Sequence, residues 1–134
     1  MLKKLICLFF SILFIAITTT ITINKPVTAA VTFNSQFPNS HTAQVISGYF
    51  GKHPTDVMDA TTLNATSLEL SDCVLTDVTG IGIFTNLTNI NLSNNSLTDL
   101  PSSMSSLTKL NTIALNLNRL ATVPSCITNF TNLK

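Results

Sequence analysis

The 134-residue chain is poor in the residue types that mark many function classes. It has no tryptophan, one tyrosine, four glycines and only 10% charged residues. Downstream of residue 30 the cations are Lys52, Lys109, Arg119 and Lys134, against Asp56, Asp59, Glu69, Asp72, Asp77 and Asp99. Four bases against six acids leave a net charge of −2, and no basic face forms for a phosphate backbone. Nucleic acid is therefore not expected as a partner. No G-x-S-x-G, phosphate-cradling glycine loop or zinc-ligand spacing occurs, so neither an enzyme nor a small-molecule substrate is expected. His41 and His53 have no cysteine or carboxylate cluster around them, and read as surface histidines. No cofactor and no metal is expected.

Charge is absent for a different reason near the start. Lys3 and Lys4 precede an uncharged run from Leu5 to Ile23, followed by Lys25-Pro26 and then Val27-Thr28-Ala29-Ala30. A basic segment, an apolar stretch and a small-residue boundary read as a secretory signal over residues 1–30, cut after Ala29 or Ala30. The alternative is an uncleaved membrane tether, since the run has 19 residues and a membrane helix needs about 20. Cys7 falls inside this segment. Cys73 and Cys126 remain in a compartment that permits disulfides, but the repeat phase below separates them, and two buried thiols are expected.

Self-similarity dominates the rest. Leu87, Ile90, Leu92, Leu97, Leu100, Met104 and Leu107 recur 23 residues later as Leu110, Ile113, Leu115, Leu120, Val123, Ile127 and Phe130. A 22-residue unit precedes them with Ala65, Leu68, Leu70, Leu75, Val78, Ile81 and Phe84. All 21 positions are apolar, which a 45% background would produce with a probability on the order of 10⁻⁷. The units span 65–86, 87–109 and 110–132, and a fourth opens at Leu133.

In each unit an x-L-x-L-x stretch alternates as a strand does, with its leucines inward. The remaining fixed phase holds Cys73, Asn95 and Asn118, the Asn/Cys position of leucine-rich repeats. A buried turn there needs hydrogen-bond partners, and an inward Asn both donates and accepts, which predicts a ladder from coil to coil. Leu100-Pro101 and Val123-Pro124 begin the outer arc, and the apolar pairs three apart after them suit 3₁₀ turns. The fold expected is therefore α/β: a right-handed leucine-rich-repeat solenoid with a parallel concave sheet, short helical or 3₁₀ turns on its convex side, and an N-terminal helical cap.

The cap is read over residues 31–64. Residues 31–36 look polar and loose. Thr42, Ala43, Val45, Ile46, Tyr49 and Phe50 share a helix face, with Asn39 or Ser40 as N-cap and Gly51 as the stop. Thr55-Asp56 would cap a second short helix through Val57 and Met58, with Leu63 as an optional further member.

Phe37-Pro38-Asn39, Gly51-Lys52 and Thr55-Asp56-Val57, running into Thr66-Ser67-Leu68-Glu69-Leu70-Ser71, resemble the cap-to-repeat junction of the internalins. Leu87-Thr88-Asn89-Ile90-Asn91-Leu92-Ser93-Asn94-Asn95 is similar to their repeats. The resemblance covers roughly residues 33–134 and implies export, a curved solenoid and recognition of a protein, often a host's, on the concave face. By phase, the outward strand residues are Ser67, Glu69 and Ser71; Asn89, Asn91 and Ser93; Thr112, Ala114 and Asn116. These are the candidate ligand-binding residues, and the partner's identity is open. Because residues 129–134 start a repeat without strand or seal, the expectation includes a fragment, a truncated product, or a unit stacking on another chain.

Overall fold

The computed structural model describes residues 30–134. The export signal expected over residues 1–30 lies, apart from Ala30, outside the described residues. Among the described residues no helix is long and apolar enough to cross a membrane.

Three short helices come first. Helix α1 (Phe33–Gln36) is set by a reciprocal capping box: Ser35 N donates to Thr32 Oγ1 at 3.2 Å, and Thr32 N donates to Ser35 Oγ at 2.9 Å. The expectation of a loose segment over 31–36 is thus overturned. Its polar residues fold locally, and Phe33 is fully buried. Helix α2 (Ser40–Tyr49) starts at Asn39, whose Oδ1 accepts from Thr42 N at 3.0 Å. It stops at Gly51, whose φ of +66° lets Gly51 N reach Gly48 O and Lys52 N reach Ser47 O, the Schellman arrangement.

Helix α3 (Ala60–Leu63) is capped by Asp59, not by Thr55 or Asp56. Asp56 turns backwards instead, accepting from His53 N at 2.7 Å. Val57 then pairs antiparallel with Thr32, so Val57 and Met58 are extended, and of the residues expected in this helix only Leu63 is helical. Asp59 accepts from Thr62 N at 2.8 Å and pairs with Lys52 at 2.9 Å. The backbone N–H of Thr62, and after it Lys52, lower the Asp59 pKa to about 2.

The repeats follow. Strands β1 (Ser67–Glu69), β2 (Asn89–Asn91) and β3 (Thr112–Ala114) form an open parallel sheet in chain order. The register Leu68↔Ile90↔Ile113 stacks the inward residues of successive units. Between strands the chain runs out through 3₁₀ helices η1 (Ile81–Ile83), η2 (Ser102–Ser106) and η3 (Ser125–Asn129), the last two entered through Pro101 and Pro124. The arcs touch closely: a Cβ on Gly82 would lie 2.2 Å from Ser103 O, and Ser106 Oγ donates to Gly82 O at 2.6 Å.

Inside the turn after each strand lies the Cys73, Asn95, Asn118 row. Asn95 Oδ1 accepts from Cys73 N at 3.2 Å and from Leu75 N at 2.9 Å, while its Nδ2 donates to Leu70 O and Leu92 O. Asn118 Oδ1 accepts from Leu97 N at 3.0 Å, and its Nδ2 donates to Leu92 O and Leu115 O. Each amide thus joins its own unit to the one before. Cys73 and Cys126 are both buried thiols, and burial pushes the Cys126 thiol pKa up.

Among the described residues no strand of the sheet precedes the first unit, and side chains of the helical segment serve its carbonyls. His41 Nε2 donates to Cys73 O at 2.8 Å, Thr42 Oγ1 to Asp77 O at 2.5 Å and Gln36 Nε2 to Gly80 O at 2.8 Å. His41 lies at the surface yet makes this inter-segment bond, which the reading of a plain surface histidine omits. Apolar contact accompanies it: Phe84 of the first unit lies 6.2 Å from Phe37 and 6.0 Å from Phe50, between ring centroids. Gly80 is required at this junction, because its φ is +104° and a Cβ would sit 2.3 Å from Gln36 O.

One inward expectation fails. Val78 and Leu100 are buried, but Val123, their equivalent in the third unit, is 78% exposed. Cover for this phase comes from the next unit, and no unit lies beyond the third among the described residues. Leu115, Leu120, Ala121, Val123, Pro124 and Ile127 consequently line an open apolar groove.

Candidate binding face

Alternation within each strand decides which residues form the outer sheet surface. The register places Ser67, Asn89 and Thr112 side by side, and Glu69, Asn91 and Ala114 beside them. Ser71, Ser93 and Asn116 continue each strand by one further outward residue. Their exposure runs from half-buried (Ser71, Asn91, Ser93, Ala114) to exposed (Ser67, Glu69, Asn89, Thr112, Asn116). All nine sequence-selected residues lie on one contiguous polar face.

The face is not uniform. Glu69 Oε1 accepts from Ser71 Oγ at 2.7 Å and from Asn91 Nδ2 at 2.6 Å. Asn91 Oδ1 in turn accepts from Ser93 N at 3.0 Å and from Ser93 Oγ. The first two units are therefore laced together, and part of their hydrogen-bonding capacity is already used. In the third unit, Ala114 ends the lateral chain, and the side chains of Thr112 and Asn116 make no hydrogen bond to another described residue. Among the nine, Ser67 shares this state, its hydroxyl making no hydrogen bond to another described residue, so Ser67, Thr112 and Asn116 keep their full side-chain donor and acceptor capacity.

Three neighbouring features were not read from the sequence. Tyr49, at the end of α2, is 40% exposed, packs edge-on against Phe50 and reaches Ser67 O at 3.4 Å. It sets an aromatic ring at the margin of a face whose strands supply none. On the side where each strand begins, Asn86 Nδ2 donates to Asn64 Oδ1 and Lys109 Nζ donates to Asn86 Oδ1, a surface row in the same 22- and 23-residue phase. That phase could have located it. Where the strands end, Asp72, Asn94 and Leu117 share left-handed backbone, with φ of 59°, 54° and 56°. Asp and Asn tolerate this region, whereas a leucine is strained there by about 1 kcal/mol, and Leu117 is 72% exposed. Among the described residues no group of three or more His, Cys, Asp or Glu is placed to hold a metal.

One parallel strand per unit, 3₁₀ arcs and an inward Asn row define a leucine-rich-repeat protein. No family model matches the sequence, and no curated protein matches it. Solved structures do. The internalin InlF of Listeria monocytogenes superposes with a TM-score of 0.70 at 30% identity, over 82% of this chain and 32% of its own. The internalin InlC2 of the same species gives 0.69 at 26% identity, over 83% and 49%. The functional domain of InlJ, again from Listeria monocytogenes, gives 0.68 at 31% identity, over 77% and 22%. This chain thus spans less than half the length of each. It is an internalin-like leucine-rich-repeat protein.

Proposed function

We propose that the chain is an exported, cell-surface or secreted protein-binding module without catalysis, acting in adhesion or host interaction. Residues 1–30 serve as the export signal, residues 31–64 as a helical cap, and residues 65–134 as the repeats of a solenoid. Right-handed winding is what parallel strands joined by crossovers adopt in about 98% of cases. The cap reading is supported by the side-chain donors of Gln36, His41 and Thr42, which bond first-unit carbonyls, and by Phe37 and Phe50, which pack on Phe84.

The observation that carries the binding reading is the contiguous outer face built by register from Ser67, Glu69, Ser71, Asn89, Asn91, Ser93, Thr112, Ala114 and Asn116. Its strands are polar and carry no aromatic or Arg anchor, and Tyr49 at the margin brings an aromatic ring to it. To test it, the full chain is produced in an exporting bacterium, and the secreted product is labelled and titrated onto intact mammalian cells. Saturable binding is expected, weakened at least about tenfold by Ser93→Arg with Asn116→Arg, and unchanged by Ser102→Arg with Ser125→Arg on the outer arc. Absence of saturable binding, or equal loss from both pairs, overturns the assignment.

A second reading, a repeat segment without independent function, is favoured by the uncovered apolar groove from Leu115 to Ile127. A cooperative thermal transition of the secreted product above about 45 °C would rule it out.

A further inference from the structure

We infer that the margin where the strands end docks a protein segment carrying two apolar side chains about 10 Å apart. A base lies beside one of them and a carboxylate beside the other. The inference rests on the protein-binding reading above and deepens it by naming the partner's chemistry.

Two rows run along this margin in the repeat phase. Asp72, Asn94 and Leu117 form the first, and Val74, Ser96 and Arg119, each two residues further on, form the second. The middle coil is neutral and polar here, whereas each outer coil presents one apolar and one charged residue. Val74 is 68% exposed and Leu117 is 72% exposed, so neither belongs to the core. Their exposure is a property of the phase. Val74 lies in a unit covered on both sides, and Asp72 and Asn94, at the phase of Leu117, are exposed as well.

Both apolar residues are also poor choices for their backbone. Val74 (φ 55°) and Leu117 (φ 56°) are left-handed, a region that disfavours β-branched and bulky side chains. The fold holds Val74 there: Cys73 O accepts from His41 Nε2 at 2.8 Å, and Leu75 N donates to Asn95 Oδ1 at 2.9 Å. An asparagine would meet the same demand with less strain, as Asn94 does at a φ of 54°. A residue that is strained and hydrated at once adds nothing to this fold, and contact with a partner accounts for it.

Charge supplies the direction. Asp72 accepts from Asn94 Nδ2, a neutral donor that leaves the carboxylate charge uncancelled. The Arg119 side chain makes no hydrogen bond or ion pair to another described residue. Neighbouring strands lie about 4.8 Å apart, so two coil spacings set Val74 and Leu117 about 10 Å apart. An extended segment spans this with residues about three apart, and a helix with residues about seven apart. With its base over Asp72 and its carboxylate over Arg119, such a segment docks in one orientation.

The test titrates the labelled full chain and its variants onto intact mammalian cells, before and after trypsin treatment of the cells. Saturable binding that trypsin abolishes is expected for the wild type. Val74→Asn and Leu117→Asn should each raise the melting temperature by about 2–6 °C, yet weaken binding at least about fivefold. A gain in stability with a loss of binding separates contact from misfolding. Arg119→Glu should weaken binding at least about tenfold. Val123→Asn removes an equally exposed apolar side chain from the groove of the third unit and should leave binding unchanged. Undiminished binding by Val74→Asn with Leu117→Asn overturns the inference, as do equal loss from Val123→Asn and asparagine variants less stable than the wild type. Absence of saturable binding by the wild type, or binding that survives trypsin, would instead overturn the protein-binding reading, and this inference with it.

Discussion

The first and third repeat units carry the same apolar phases, yet one is sealed and the other is open. Leu68, Leu70, Leu75, Val78, Ile81 and Phe84 of the first unit are all 1% exposed or less. Ile113, Leu115 and Leu120 of the third are only partly buried, and Val123 projects into solvent. The sequence pattern cannot distinguish them. What differs is the neighbour: the helical segment covers the first unit with Phe37 and Phe50, while the far side of the third meets no further described unit. Burial in a stacked repeat is thus a property of pairs of units.

Several substitutions would break or sharpen this contrast. The largest effect is expected from the phase-equivalent pair Leu75→Ala and Leu120→Ala. Leu75 is fully buried, so its truncation should cost about 3–5 kcal/mol of stability, whereas Leu120→Ala should cost about 1 kcal/mol. Urea unfolding of the chain measures both, and equal losses would show that the third unit is covered in solution.

Next comes the junction itself. Gly80→Ala should destabilise by about 2–4 kcal/mol, since the new Cβ meets the Gln36 carbonyl and φ remains positive. The same curve reads it, and a loss below about 1 kcal/mol would mean that the helical segment shifts freely on the first unit.

The polar row is expected to follow in size. Asn95→Ala strands Cys73 N, Leu75 N and Leu70 O in the interior and should cost about 2–3 kcal/mol. Asn118→Ala, at a half-exposed site that water reaches, should cost about 1 kcal/mol.

The smallest effect belongs to the far end of the helical segment. Asp59 has its pKa lowered from 3.8 to about 2 in the folded chain. A carboxylate depressed on folding adds stability that is present above its unfolded pKa and is lost as pH falls through the folded one. The difference in melting temperature between the wild-type chain and Asp59→Asn should therefore hold above about pH 4 and vanish towards about pH 2. A difference that persists at the acid end would remove the charge as its cause.

How much of this was legible depends on how far each feature reaches along the chain. Strand positions were legible, because the x-L-x-L-x alternation recurs at the same phase and its leucines lie inward at Leu68, Leu70, Ile90 and Leu92. The outer face was nameable for the same reason: once inward residues are known, pleating assigns the rest. The polar segment 31–36 misled, since its helix depends on a Thr32–Ser35 box and on a Phe33 pocket assembled from distant residues. Asp56 and Asp59 are both plausible caps by type. Only the turn back to His53 and the pairing of Val57 with Thr32 separate them.

By itself, then, the sequence determined the period, the strand phase and the resemblance to internalins, because a repeat writes the same local instruction several times and coincidence becomes improbable. The tertiary structure alone decided which of those equivalent leucines are buried, which of the outward residues keep free hydrogen-bonding capacity, and how the helical segment docks. Those depend on contacts between residues tens of positions apart, and a local pattern carries no record of whether the neighbouring coil is there to make them.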